Sequence, residues 1–184
     1  GCNRSASKTP GGAGISARWQ TKALPRQRAN PMQQIQELFV LAEDDQRNQT
    51  YRRKKWLRSG EFRQWLQEDT LPNLEMEQAF DLYRASGGRD TARFKTNTIE
   101  DIRDGLDFLL YDNIKLEGRF DECAALDGSY RMEGTGKEFP SYLLCLSNPA
   151  LFAVWNANAE ALLKQASLLP AGIKRGPIGI RYLD

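Results

Sequence analysis

The fold class is indicated most clearly by residues 98–110, which have the sequence TIEDIRDGLDFLL. Thr98, followed three residues later by Asp101, is typical of a helix start, because a threonine hydroxyl caps a backbone N–H of the first turn. Apolar residues then recur at steps of three and four, as on one face of a helix: Ile99, Ile102, Leu106, Leu109 and Leu110. The stretch therefore predicts an amphipathic α-helix.

The same spacing of apolar residues extends outward from this stretch. It begins at Met32, and no run of alternating apolar and polar residues interrupts it. We therefore expect an all-α fold, a compact multi-helix domain over residues 32–169 with its core in residues 98–169. Residues 170–184, with two prolines and three glycines between 170 and 180, predict a linker or the start of a following segment.

The composition excludes several classes of chemistry. The 184 residues contain no histidine, which excludes histidine-based triads, histidine general bases and histidine-ligated metal sites. The three cysteines are far apart and form no Cys-x-x-Cys pair, so we expect free thiols in a reducing, cytoplasmic compartment, with no metal and no cofactor. No window has the roughly 18 to 20 consecutive apolar residues of a membrane span.

The charge is unevenly distributed along the chain. Residues 1–31 hold six basic residues and no acidic ones, whereas the remaining 20 basic and 24 acidic residues give the rest of the chain a net charge of −4. The first 31 residues are also rich in Gly, Ala, Ser and Pro, which predicts a disordered basic tail. The alternatives are an organelle transit peptide and sequence translated from upstream of the true start.

A dense basic cluster lies at residues 52–55, with the sequence RRKK. Because residues three or four apart share a helix face, Arg52 and Lys55 can point together toward phosphates, with Arg53 beside them and Trp56 packed inward. The alternative is a solvated helix face neutralised by nearby acidic residues.

A second candidate site is the Gly-x-Gly turn, defined as Gly134-Thr135-Gly136-Lys137. It is not a P-loop, because Glu138 and not Ser or Thr follows Lys137, and it is not a dinucleotide motif, because residue 139 is Phe. A turn of this kind at a helix start exposes backbone amides that can hold an anion. The alternative is a turn without a ligand.

This turn resembles the hairpin of the helix-hairpin-helix DNA glycosylases. The pattern of an apolar residue, Gly-x-Gly and a basic residue is matched by Met132, Gly134, Gly136 and Lys137. The resemblance implies that the amides and Lys137 grip a DNA phosphate. It places Glu138 where lyase-type members have the catalytic lysine, and Asn156 where they have the catalytic aspartate, so we expect no enzyme activity and no catalytic residue.

A longer resemblance covers residues 98–166. An ordered series of phrases is similar to a glycosylase-like helical domain found in front of McrB-type AAA+ ATPases: LDFLLY (106–111), RFD (119–121), GTGKEF (134–139) and NPALFAVWN (148–156). It implies a non-catalytic DNA-recognition domain of a prokaryotic restriction or defence protein. DNA and a downstream AAA+ NTPase module in the same chain are then the expected partners, with no membrane contact.

Within that segment, Trp155 and Asn156 are the remaining candidate site residues. An extruded base can stack on Trp155, as flipped bases do in the related enzymes. The alternatives are core packing for Trp155 and helix capping for Asn156.

Two other functions remain open from the sequence. One is a protein-interaction or structural helical domain without nucleic-acid contact, which the net charge of −4 after residue 31 favours. The other is an active glycosylase or lyase, in which Asp121, Glu122 or Asp127 would replace the missing carboxylate.

Overall fold

The computed structural model describes residues 46–165, 168–169 and 176–183, together with the single positions 33, 36, 37 and 40. The predicted tail, residues 1–31, lies outside the described residues. Within the described part the secondary structure is helical and contains no strand, which confirms the all-α prediction. The elements are α1 (Gln46–Trp56), α2 (Ser59–Trp65), a 3-10 turn (Leu71–Asn73), α3 (Met76–Ser86), α4 (Thr91–Phe94), α5 (Ile99–Tyr111), α6 (Leu116–Ala124), α7 (Glu138–Ser147), α8 (Ala157–Gln165) and α9 (Ile178–Leu183).

Helix α5 begins as its sequence predicts. The Thr98 hydroxyl accepts a hydrogen bond from the backbone N–H of Asp101 at 3.1 Å, and Ile102, Leu106 and Leu109 are buried. The Thr98 side chain therefore caps the first turn of α5, and the apolar stripe of the helix faces the core.

Helix α7 is the centre of the domain. Every residue from Phe139 to Leu146 is buried, and the helix contacts α2, α3, α5 and α6. A helix that is buried on all sides cannot show a polar face in its sequence. Its two end residues are the exceptions, since the Glu138 side chain is 33% exposed and Ser147 is exposed.

The buried core differs from the predicted range of residues 98–169. Its apolar side chains begin at Phe62 and end at Leu146, and they include Leu71, Leu74 and Leu82. Those early residues are spread over α2, the 3-10 turn and α3, elements too short to show a long periodic stripe. The buried residues between Phe62 and Tyr83 therefore belong to the same core as α5 and α7.

Residues 178–183 belong to the helical domain and are not a linker. They form α9, which packs on α6, and the Tyr182 ring stacks on Phe120 with centroids 4.3 Å apart. The helices approach so closely that a Cβ on Gly179 would lie 1.9 Å from the carbonyl oxygen of Glu117. Glycine at this position permits the close helix contact, whereas the Gly- and Pro-rich composition had predicted a linker.

The Gly-x-Gly turn is fastened to α3 and α4. The Tyr83 hydroxyl donates a hydrogen bond to the carbonyl oxygen of Gly134 at 2.9 Å, and the Tyr83 ring stacks on Phe94 at 4.1 Å. Gly134 has φ +78°, and a Cβ there would lie 2.7 Å from the backbone nitrogen of Phe94. Gly136 has no such constraint, because nothing lies within 4 Å of an added Cβ.

The stability of the protein should therefore respond very differently to a methyl group at each of the two glycines. Gly134→Ala should lower the free energy of unfolding by more than about 2 kcal/mol, because it adds left-handed strain to a backbone clash. Gly136→Ala should change it by less than about 0.5 kcal/mol. Urea unfolding followed by circular dichroism measures both, and equal midpoints for the two variants would contradict the described turn.

Candidate functional site

Five of the eight predicted site residues line one pocket of about 500 Å³: Gly134, Gly136, Lys137, Trp155 and Asn156. They come from the turn before α7 and from the segment before α8, which the fold brings together. The volume lies in the range of pockets that hold a small organic ligand, about 300 to 1,000 Å³. Tyr51 of α1 and Glu138 of α7 also line it, and sequence reasoning did not select either as a binding residue.

The backbone of the turn presents open donors at this pocket. The N–H groups of Gly136, Lys137 and Glu138 donate no hydrogen bond within the part of the chain that the structure describes. They lie at the N-terminus of α7, where the helix dipole and the unpaired amides favour an anion.

The turn differs in one respect from the expected helix-hairpin-helix geometry. It opens α7, but it does not close the preceding helix, because α6 ends at Ala124 and residues 125–137 connect the two helices. The connection folds back along α6, with the backbone N–H of Tyr130 donating to the carbonyl oxygen of Glu122 at 3.1 Å. The expected short link between two helices is therefore a longer irregular segment here.

Lys137 already has partners inside the protein. Its ammonium forms an ion pair with Glu160 of α8 and lies 4.0 Å from the centroid of the Trp155 ring. The hydrogen bond from Lys137 holds the pKa of the Glu160 carboxyl below its ordinary value. A phosphate that binds Lys137 must therefore exchange with the Glu160 carboxylate.

Trp155 packs within the fold, as its structural alternative proposed. Its indole lies against Tyr182 at 6.0 Å and Phe120 at 6.5 Å between centroids, and its N–H donates to Glu160 at 3.3 Å. Lys137 also lies over this partly buried ring, so a base that stacks on the indole must compete with these neighbours. It forms a wall of the pocket and holds Lys137 in place.

Asn156 caps α8. Its side-chain oxygen accepts from the backbone N–H of Ala159 at 2.8 Å, which confirms the capping interpretation. The same amide donates through Nδ2 to the Tyr51 hydroxyl at 3.3 Å. One side chain therefore starts a helix and touches a pocket residue of α1.

The basic cluster divides into exposed and buried members. Arg52 and Arg53 are exposed, as predicted, and Trp56 packs inward against Tyr142. Lys55 is 3% exposed, so the prediction that it faces phosphates with Arg52 is wrong. The side of α1 that carries Trp56 packs on the domain, and Lys55 lies on that side.

The Lys55 ammonium is fully hydrogen bonded. It donates to the Tyr51 hydroxyl at 2.9 Å, the carbonyl oxygen of Ser86 at 2.6 Å and Oε1 of Glu138 at 3.0 Å. Three acceptors match its three protons, so the burial of this charge is compensated. The contact joins α1, α3 and α7 behind the pocket.

Lys55, Lys137 and the two cysteines of the described part are held by neighbours or by burial. Lys55 is engaged in an ion pair with Glu138 and in two further hydrogen bonds. Burial raises the pKa of the Cys123 thiol to about 12 and also raises the pKa of Cys145. Among the residues that the structure describes, no group of three or more potential metal ligands occurs.

Comparisons with protein-family models, with curated proteins and with solved structures find no match for this chain. None of the described helices has both the length and the hydropathy that crossing a bilayer requires.

The buried lysine predicts a large effect from a single charge removal. Lys55→Met keeps the length of the side chain but leaves Glu138 and the Ser86 carbonyl without their donor. We expect the free energy of unfolding to fall by about 2 kcal/mol, less than for a fully buried pair because Glu138 is partly exposed. Lys54→Met, at an exposed neighbouring position, is the control and should cost less than about 0.5 kcal/mol in urea unfolding. Equal effects would contradict the buried contact.

Proposed function

We propose that this domain binds DNA without catalysing a reaction on it. A backbone phosphate is held at the Gly-x-Gly turn, and the attached nucleotide enters the pocket. The observation that carries the proposal is the convergence of the turn, Asn156 and Tyr51 on one pocket, beside three amides that donate to none of the described residues.

The charge around the pocket supports a phosphate ligand. Arg89 lines the pocket and is exposed, and Arg52 and Arg53 are exposed on α1, directly after Tyr51. The helix dipole of α7 adds partial positive charge at the turn. These groups supply a local positive surface on a domain that is mildly acidic overall, which is sufficient for contact with a few phosphates.

The chemistry of the pocket argues for binding over catalysis. Cleavage by a lyase needs a neutral amine nucleophile. Lys137, which lines the pocket, is paired with Glu160, and all three protons of the Lys55 ammonium behind it have acceptors. Hydrolysis of a glycosidic bond needs a carboxylate near the sugar. The resemblance puts the helix-capping amide of Asn156 at that position, and the Glu138 carboxylate that lines the pocket is already bound through Oε1 by Lys55. The active glycosylase or lyase is therefore the less favoured alternative.

The wider setting of the proposal rests on resemblance alone. A role in a prokaryotic restriction or defence protein, with a downstream AAA+ NTPase module in the same chain, follows from the series of phrases in residues 98–166. The competing function is a protein-interaction domain. The net charge of −4 after residue 31 supports it, and absence of DNA binding would favour it.

Gly136 offers a direct test, because nothing lies within 4 Å of an added Cβ and a substitution there should leave the fold intact. Gly136→Asp places a carboxylate before the amides and should weaken DNA binding about tenfold or more. Gly136→Asn has nearly the same size without the charge and should bind within about threefold of the unmodified chain. Fluorescence anisotropy with a labelled single strand and its duplex, in the full chain, measures the affinities at two salt concentrations.

Binding should weaken steeply as salt rises, since released counterions drive phosphate contacts. Equal affinities for the Asp and Asn variants would remove the turn from the interface. Absence of binding to both the single strand and the duplex would overturn the proposed function.

A further inference from the structure

We propose that the pocket selects the base it receives, and that Glu138 and Tyr51 together favour guanine. This inference rests on the proposed function, because it requires a nucleotide in the pocket. It adds a base preference to a site that phosphate contacts alone would leave indifferent to sequence.

Glu138 supplies a fixed hydrogen-bond acceptor. Its Oε1 is bound by the Lys55 ammonium, while its Oε2 accepts no hydrogen bond from the residues that the structure describes. The carboxylate lies against Gly87, where an added Cβ would be 2.8 Å from Oε1. It lines the pocket and is 33% exposed, so a ligand can reach it. A carboxylate oriented in this way accepts N–H groups and repels a ligand that offers only acceptors.

Tyr51 supplies a donor beside that acceptor. Its hydroxyl oxygen accepts from the Lys55 ammonium at 2.9 Å and from Nδ2 of Asn156 at 3.3 Å. The orientation of the Asn156 amide is set by its other end, since Oδ1 caps α8. With both lone pairs occupied, the hydroxyl proton has no acceptor among the described residues and is free to donate to a ligand.

The two groups flank the same ammonium, so their positions are coupled. Lys55 binds the Glu138 carboxylate and the Tyr51 hydroxyl at once, and it is itself buried and saturated. Tyr51 is 45% exposed and lines the pocket, so its ring is also available for stacking. The pocket wall therefore presents an acceptor and a donor side by side in a preorganised arrangement.

Guanine matches this wall better than the other DNA bases. Its N1–H and N2–H donors are adjacent and fit the open Oε2 and the remaining lone pair of Oε1, and its O6 accepts from a hydroxyl next to them. Adenine and cytosine each offer one amino donor beside a ring acceptor, so they satisfy the carboxylate and the hydroxyl with one hydrogen bond fewer than guanine. Thymine offers one N–H between two carbonyl oxygens, which face the carboxylate unfavourably.

The test uses single-stranded thymidine oligonucleotides that differ only at one central position. The full chain is titrated with oligonucleotides that carry guanine, hypoxanthine, adenine, cytosine or thymine there, and anisotropy reports the affinities. We expect guanine to bind about tenfold more tightly than thymine, as one bidentate base contact provides. Hypoxanthine, which lacks the N2 amino group, should bind several-fold more weakly than guanine.

Two variants assign the preference to its residues. Tyr51→Phe keeps the ring and removes the hydroxyl, so the ratio of guanine to thymine affinity should fall to about threefold or less. Arg52→Ala is the control on the same helix, and it should weaken all five oligonucleotides by a similar factor. The affinity ratio, unlike the affinity, does not change when a variant is merely less stable.

The outcomes separate this inference from the function on which it rests. Equal affinities for all five oligonucleotides, or a preference for another base, would overturn guanine selection and leave DNA binding in place. An unchanged ratio in Tyr51→Phe would also overturn it. Binding to a duplex but to no single strand would overturn base reading alone, whereas no binding to any DNA would overturn both proposals.

Discussion

The contact on which the rest of the structure depends is the buried ammonium of Lys55. It is 3% exposed, and leaving such a charge without partners would be costly. Its three acceptors come from α1, from the end of α3 and from the start of α7, so the charge is compensated only when these helices are assembled. The same contact orients Tyr51 and Glu138 at the pocket, which joins the stability of the fold to the geometry of the site.

The sequence predicted the features that are encoded locally. The cap at Thr98, the stripe along α5 and the inward side of Trp56 depend on residues within a few positions of each other, and the structure contains them. Long-range contacts gave no sequence signal. Lys55 contacts Ser86 and Glu138, which lie 31 and 83 residues further along the chain. The basic cluster alone therefore gave no sign that Lys55 is buried while Arg52 is exposed.

The turn before α7 contains one constrained glycine and one open glycine. Gly134 is fixed by φ +78° and by the backbone of α4, whereas Gly136 is open and faces the pocket. Lys137 and Trp155 are occupied by Glu160 and by aromatic neighbours, so the amides and Tyr51 are the more accessible contacts. The proposed DNA contact therefore relies on backbone donors and on one hydroxyl that no sequence motif indicated.

The central claim is that DNA contacts the amides of this turn. Nuclear magnetic resonance of the ¹⁵N-labelled full chain, titrated with an oligonucleotide, tests it most directly because each amide reports its own environment. The account predicts that the amides of Gly136, Lys137 and Glu138 show the largest chemical-shift changes, beyond the changes that salt alone produces. Shifts that leave these three amides unchanged while others on the surface move would contradict it.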